Sequence, residues 1–253
     1  MDLCERRGDL INRHPWELSR LDALKSLLKM VPGDKNDFRV LDVGCGDGFV
    51  SQELFKDVRV ESITGIDTNL SDQQVDTLTN RVKDITYYNN YVDLKIGYYN
   101  VTLLLDIIEH IRDAQSFLLD IVNKYVTDGG YILITAPAFQ SIYGSHDRFL
   151  KHERRYNCKE LVGLSNATNL ECVSSGYLFV SLLLIRYFLF CSERLLGANV
   201  IKNRGVGVWN HGKILTNTLA LLLRTDIQCS TTLNRVGIKL PGLTVWALCK
   251  KLR

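Results

Sequence analysis

Apolar residues recur along this chain with two different periods. Leu18, Leu21, Leu24 and Leu28 are spaced by three and four, which lines one face of a helix. Pro15 suits its first turn, and Pro32-Gly33 ends it. Phe38, Val40, Leu41 and Val43 then read as a short buried strand, followed by a glycine-rich turn over 44–48 and a helical pattern from Phe49. Residues 61–67 carry Ile63 and Ile66 in a second strand, and 85–93 read as a third strand with its loop. The run VTLLL at 101–105 is apolar without a break, as expected of a strand covered on both faces. Asp113 caps a helix with Phe117, Leu118, Ile121, Val122 and Tyr125 on one side; the turn Asp128-Gly129-Gly130 and a strand over 131–136 follow. Asn157 and Glu160 form a capping box for a helix to about Ala167, ahead of a strand over 170–177. A last strand is predicted at 243–249. Strands alternating with helices predict an α/β fold with a doubly wound, mostly parallel sheet.

The stretch 178–197 breaks the alternation. Residues 177–185 are apolar except for Ser181; Arg186 interrupts, and 187–191 resume. This is too short and too broken for a bilayer span of roughly twenty residues. Two readings stay open: a buried insertion helix, or a helix lying at a membrane surface, flanked by Arg186, Arg194 and Lys202. A second apolar helix at 214–223 suits pairing with it. The loop between them, 203–212, has three glycines, a Trp and a His, and is a candidate border of an acceptor pocket.

Composition narrows little. The 253 residues are 46% hydrophobic and 23% charged, ordinary for a globular protein, and a net charge of +3 implies no nucleic-acid partner. Seven scattered cysteines without a C-x-x-C argue for reduced thiols in a cytoplasm. The opening MDLCERRGDL is too charged for a signal-peptide core.

The turn at 44–48 holds the first chemistry. Its spacing is G-x-G-x-G, with Asp42 two residues before the first glycine and Asp47 inside it. A dinucleotide fingerprint has G-x-G-x-x-G and receives a pyrophosphate. Two carboxylates suit a ligand carrying an ammonium group instead. Asp67 closes the second strand, placed to accept hydrogen bonds from ribose hydroxyls. Asp106 closes the apolar strand and opens L-D-x-x-E-H with Glu109 and His110. Together these motifs resemble class I S-adenosylmethionine-dependent methyltransferases over about 38–177 and 243–250. The resemblance implies a Rossmann-like sheet whose last strand is antiparallel, and S-adenosyl-L-methionine as cofactor, leaving S-adenosyl-L-homocysteine. It assigns the cofactor to Asp42, Gly44, Cys45, Gly46, Gly48, Asp67, Thr68, Val92, Asp93, Asp106 and Ile107. One domain over 1–253 is expected: an N-terminal helix or lid at 1–36, core sheet at 37–177 and 241–253, and a helical insertion at 178–240, the first and last of which the resemblance does not explain.

What receives the methyl group is carried by 137–156, PAFQSIYGSHDRFLKHERRY. His146, Asp147 and His152 are candidate catalytic residues, because a hydroxyl acceptor must lose its proton and an imidazole is the natural base. Tyr143, Arg154, Arg155, Tyr156 and His110 are candidates for holding the acceptor, the arginines through a phosphate or carboxylate. The H-D then H-x-R-R-Y pattern resembles a subgroup accompanying glycan and lipid-linked sugar biosynthesis. The expectation is therefore a methyltransferase acting on a small-molecule or lipid-linked glycan acceptor, on oxygen. It would be cytoplasmic, with a peripheral seat at the inner membrane face through 178–197 as one of the two open readings. Two alternatives are a nicotinamide dehydrogenase, disfavoured by the glycine spacing, and a non-catalytic cofactor-binding subunit that supports a partner enzyme. His14 and Trp16 are read as core or surface residues, not as a cleft cover. Asp106, Glu109 and His110 are metal-ligand types, and ubiquinone-pathway O-methyltransferases use acids near the matching position. Neighbours on a helix point apart, so no metal is assigned.

Overall fold

The computed structural model describes residues 14–82, 84–196 and 211–253. Helix α1 (Pro15–Leu28) comes first, with His14 as its cap and Glu17 completing a capping box. Strand β1 (Arg39–Val43), helix α2 (Phe49–Phe55), β2 (Ser62–Ile66), α3 (Asp72–Arg81), β3 (Ile85–Tyr88) and β4 (Tyr99–Leu105) follow. Then come α4 (Ala114–Lys124), β5 (Val126–Pro137), the short α5 (Ser145–Phe149), α6 (Cys158–Asn166) and β6 (Leu170–Leu178). Two long helices, α7 (Val180–Leu196) and α8 (Lys213–Arg235), precede β7 (Thr244–Lys251).

The seven strands form one sheet in the order β3-β2-β1-β4-β5-β7-β6. The first four neighbouring pairs are parallel, and β7 runs antiparallel between β5 and β6. This is the expected Rossmann-like sheet with its antiparallel last strand. Val40 and Leu41, Leu103 and Leu104, and Ile132 and Leu133 alternate between the two apolar layers, one on each face. That is why these strands read as continuous apolar runs rather than alternating ones. The expected turn at Asp128-Gly129-Gly130 appears inside β5 as an irregularity. Pairing passes from Tyr99↔Val126 to Val101↔Tyr131, so β5 spends extra residues there.

The N-terminal helix and the insertion share one layer. Ser19 Oγ donates to the Ala220 carbonyl at 3.1 Å, and Arg224 pairs with Asp22 at 2.6 Å, which joins α1 to α8. Asp226 of α8 accepts from the Val180 and Ser181 amides and so caps the start of α7. Trp16 is partly buried against the core, its ring centroid 6.2 Å from that of Phe179, where a core or a surface place was expected. The buried-insertion reading of 178–197 fails: Leu184, Ile185, Tyr187 and Phe188 of α7 are all exposed. The 203–212 loop lies outside the described residues except for His211 and Gly212, both exposed.

Leu103 lies at the middle of β4 with none of its surface exposed. Leu103→Ala is expected to destabilise the fold by about 2–5 kcal/mol. A lowered urea midpoint at unchanged slope is the readout.

Candidate functional site

The candidate site forms where β1, β2 and β4 end, the side on which open α/β sheets bind ligands. The turn after β1 packs back on β2: the Gly44 and Cys45 amides donate to the Ile66 carbonyl at 2.7 and 3.1 Å. Gly44 and Gly48 have φ of 72° and 71°. A side chain at either would also meet a neighbour, since a Cβ at Gly44 falls 1.9 Å from Ile107 Cδ1 and one at Gly48 falls 1.8 Å from the Tyr87 hydroxyl. The glycines thus let Ile107 and Tyr87 press against the backbone of the turn. Cys45 is buried in it, and burial pushes its thiol far up, so it stays protonated.

The acids have separate tasks. Asp67 takes the Gly46 amide on one oxygen at 3.1 Å and the Asn69 amide on the other at 2.9 Å, which ties the turn after β1 to the end of β2. A carboxylate has about four lone-pair sites, so acceptor capacity for hydroxyls remains. Thr68 beside it is exposed, as are Val92 and Asp93 beyond β3. Asp42 is buried and accepts from Ser51 Oγ of α2. Burial lifts its carboxyl to about 6, against the opposing pull of that hydrogen bond. Asp106 leaves β4 at φ 58°, a left-handed position uncommon for a non-glycine residue.

Arg20 is the residue that periodicity missed. It sits on the buried side of α1, and its guanidinium reaches Asp106 Oδ2 at 2.7 Å and Thr135 Oγ1 at 3.2 Å. Burial, the largest single effect, would raise the Asp106 carboxyl, but the Arg20 charge, the Thr135 hydrogen bond and further positive charge together overcome it and hold the group below the ordinary carboxylate range. Arg20 Nε and the Tyr87 hydroxyl are buried with no hydrogen-bond partner among the described residues. Helix α1 thus packs on the domain and brings a cation to the strand ends. The sequence sign was polar residues, Glu17, Ser19 and Arg20, set among the leucines of this helix.

Beyond β5 the chain folds its polar loop around Asp147, which has no exposed surface. Its carboxylate takes His152 Nδ1 at 3.1 Å, Arg155 Nε at 2.7 Å, Arg186 Nη2 at 3.4 Å and the Gly144 amide at 2.9 Å. Burial acts to raise this carboxyl, and the four donors overcome it and hold it far below the usual range. Asp147 therefore orients; it is not exposed to act on a substrate directly. The carboxylate can only accept, so Nδ1 donates to it and the Nε2 side of the ring is turned away from Asp147. The rings of His152 and His110 meet edge to face at 4.8 Å. His146 is half-buried beside Arg186 and Asp147, and burial lowers its pKa.

Most of the expected acceptor-holding groups are already engaged. Arg155 is buried and also donates to the Ala138 carbonyl at 3.0 Å. The Tyr156 hydroxyl donates to the Ile108 carbonyl at 3.2 Å, and the Tyr143 hydroxyl to the His152 carbonyl at 2.7 Å. Arg154 pairs with Glu160 at 2.8 Å and lies over the Tyr156 ring. Arg155, Tyr143 and Tyr156 thus build the loop, while Arg154 keeps part of its guanidinium exposed. His110 alone of the five faces His152.

Glu109, His110 and His152 bring ligand atoms within 4.8 Å of one another. The expected divergence of Glu109 and His110 does not hold, because they belong to a tight 3-10 turn, Ile108–His110, and His152 arrives from another loop. Glu109 is buried, its Oε2 lacks a partner among the described residues, and burial together with the Asp106 charge raises its pKa well above the ordinary value. The three side chains suit either a shared proton or a cation.

Residues 16–175 match the sequence model of a methyltransferase domain. The ubiquinone biosynthesis O-methyltransferase of Rickettsia bellii is 26% identical over 127 residues, covering 49% of this chain and 52% of that protein. The chain thus spans about half the length of the curated relatives it matches. Among solved structures, a sarcosine dimethylglycine methyltransferase from Galdieria sulphuraria, so described provisionally, superposes with a TM-score of 0.54 at 15% identity. That match covers 94% of this chain and 84% of the other. Haemonchus contortus phosphoethanolamine N-methyltransferase 2, in complex with S-adenosyl-L-methionine, gives 0.55 at 15% identity over 92% of this chain and 52% of that one. At these identities the structures support the fold alone.

The buried Asp42 provides a pH test. An unfolded aspartate ionises near 3.9, whereas the folded group does so at about 6. Between these values the folded protein keeps a proton that the unfolded chain loses, so this group's contribution falls as pH rises and levels off above 6. Asp42→Asn keeps an acceptor for Ser51 and removes the charge. Relative to the parent, the variant is expected to gain up to about 3 kcal/mol as pH rises through that window, measured by urea unfolding without ligand.

Proposed function

We propose, from the premise that this chain belongs to the methyltransferase-domain family, that it transfers the methyl group of S-adenosylmethionine to an oxygen of a small-molecule acceptor. The observation that carries the reading is the convergence at the ends of β1, β2 and β4: the glycine turn, Asp67, and the Arg20–Asp106 pair. The methionyl end of this donor carries both a carboxylate and an ammonium group. A buried guanidinium with an unpartnered Nε, next to an ionised carboxylate, fits that combination. Asp67 would hold the ribose hydroxyls, and the turn 44–48 would admit the ligand close to the backbone. Val92 and Asp93 would lie at the adenine end, with Asp42 charging the underside of the turn.

When bound, S-adenosylmethionine supplies a methyl group on a positively charged sulfur, and S-adenosylhomocysteine is what remains. The chain must hold an acceptor hydroxyl in line with it and remove that hydroxyl's proton. His152 is the base: Asp147 fixes its Nδ1–H, which turns Nε2 towards His110 and Glu109. Glu109, buried beside them with its pKa raised, would steady the acceptor oxygen. The relatives named as O-methyltransferases support oxygen as the acceptor atom. The finer reading is a lipid-linked sugar met at a membrane surface, through 178–197, supported by the exposed apolar side chains of α7.

The same three side chains support a second reading, in which Glu109, His110 and His152 hold a divalent cation. Activity that survives exhaustive chelation excludes it.

Arg20→Ala is expected to weaken S-adenosylhomocysteine binding by roughly tenfold or more, measured by calorimetric titration. For the acceptor, a cell extract of lipids and glycans is incubated with the protein and trideuteromethyl-labelled cofactor, and mass spectrometry finds the labelled product. His152→Ala is expected to cut that transfer by about 10²–10⁴-fold while cofactor affinity holds. Unchanged transfer removes His152 from the base role, and no labelled product from any extract removes the transferase reading.

A further inference from the structure

An apolar helix in a small α/β protein normally buries its apolar side. Helix α7 does the reverse. Leu184, Ile185 and Phe188 are 59%, 55% and 72% exposed, and the one buried residue among its described side chains is Arg186. The exposed apolar positions sweep roughly 200° of the helix circumference. Helix α8, which contacts α7, adds Ile214, Leu221 and Leu222 at 86%, 61% and 61%. Single exposed apolar residues are ordinary, but so many on two helices that touch mark a surface that something covers.

Charge selects what covers it. Arg194 near the end of α7 and Lys213 at the start of α8 are exposed cations bordering the apolar area. From 194 to 225 the sequence carries Arg194, Lys202, Arg204, Lys213 and Arg224, and no acidic residue. A second copy would offer this same cation-bearing face, so pairing like with like would oppose charges of one sign. An anionic lipid surface complements it, at about 1 kcal/mol for each basic residue near the headgroups. No helix among the described residues is long and apolar enough to cross a membrane, so the contact is interfacial.

We propose that the exposed face of α7 and the first half of α8 seats on an anionic lipid bilayer, with Arg194 and Lys213 at the headgroups. The inference builds on the membrane contact proposed above for 178–197, extends it to α8 and fixes the lipid charge. Arg186, on the opposite side of α7, reaches Asp147, so the seat and the loop that holds His152 are joined by one ion pair. The acceptor end of the site is thereby held at the lipid surface.

The test is flotation of the full chain with vesicles of phosphatidylcholine alone and of phosphatidylcholine with phosphatidylglycerol. The parent should float with the anionic vesicles and lose that binding at high salt. Phe188→Glu and Leu222→Glu, both exposed, should each cut the floated fraction by at least about tenfold and leave S-adenosylhomocysteine titration unchanged. The double change Arg194→Gln with Lys213→Gln should erase the preference for anionic vesicles. If one glutamate variant melts early, the other, on a different helix, decides. Parent protein that stays at the bottom of the gradient overturns the proposal. So does a concentration-dependent dimer that Phe188→Glu dissociates without any flotation, which would give the face to a second copy. Flotation that persists in a protein with no methyl transfer would overturn the enzymatic reading and leave the lipid seat standing.

Discussion

A single carboxylate with no exposed surface, that of Asp147, sets the arrangement of everything beyond β5. Two arginines, one imidazole and one backbone amide converge on it. Desolvating two guanidinium groups is expensive unless an anion meets them with good geometry. Here the anion is itself buried, so neither side can leave without stranding the other. The partners come from the residue's own loop, from the segment after it and from α7, 39 residues on. That gathers three separate parts of the chain around one His side chain, whose free nitrogen is the product of the arrangement.

The donor end of the cleft uses the opposite balance. Asp106 is paired with Arg20, which descends from α1, whereas burial lifts the Asp42 carboxyl against the pull of its Ser51 hydrogen bond. Two aspartates at the ends of adjacent strands β1 and β4 thus have pKa values displaced in opposite directions, Asp42 up to about 6 and Asp106 below the ordinary range. Removing α1 would change both the cover and the electrostatics of the turn.

Much of the sheet was legible because its strands obey local rules. The runs at β1 and β4 are apolar on both sides, and the caps at Asp113 and Asn157 sit where the side chains bond their helices. The turn at 44–48 could be read because its glycines need left-handed φ whatever surrounds them. The polar loop could be located but not apportioned. Arg155, Tyr143 and Tyr156 look like free recognition groups in sequence, and their partners are backbone carbonyls that no side-chain pattern encodes. Arg20 was hidden because its partners, the side chains of Asp106 and Thr135, lie far along the chain. Helix α7 misled in a different way: hydrophobicity measures a preference for leaving water, and says nothing of whether the protein's own core supplies the refuge.

The position of β7 has a kinetic meaning. This strand pairs with β5 on one side and β6 on the other, yet it is made after both and after α7 and α8. While the ribosome is producing those two helices, the facing edges of β5 and β6 have no partner, and the gap between them must be kept open for a strand not yet synthesised. Contacts such as Thr135 with Trp246 close a very long loop, which makes their formation slow relative to local helix and hairpin steps. The nascent chain therefore passes through a stage with unpaired strand edges and an apolar helix both on display. Such an intermediate has reason to engage a holding chaperone, or a nearby lipid surface, before its sheet is complete.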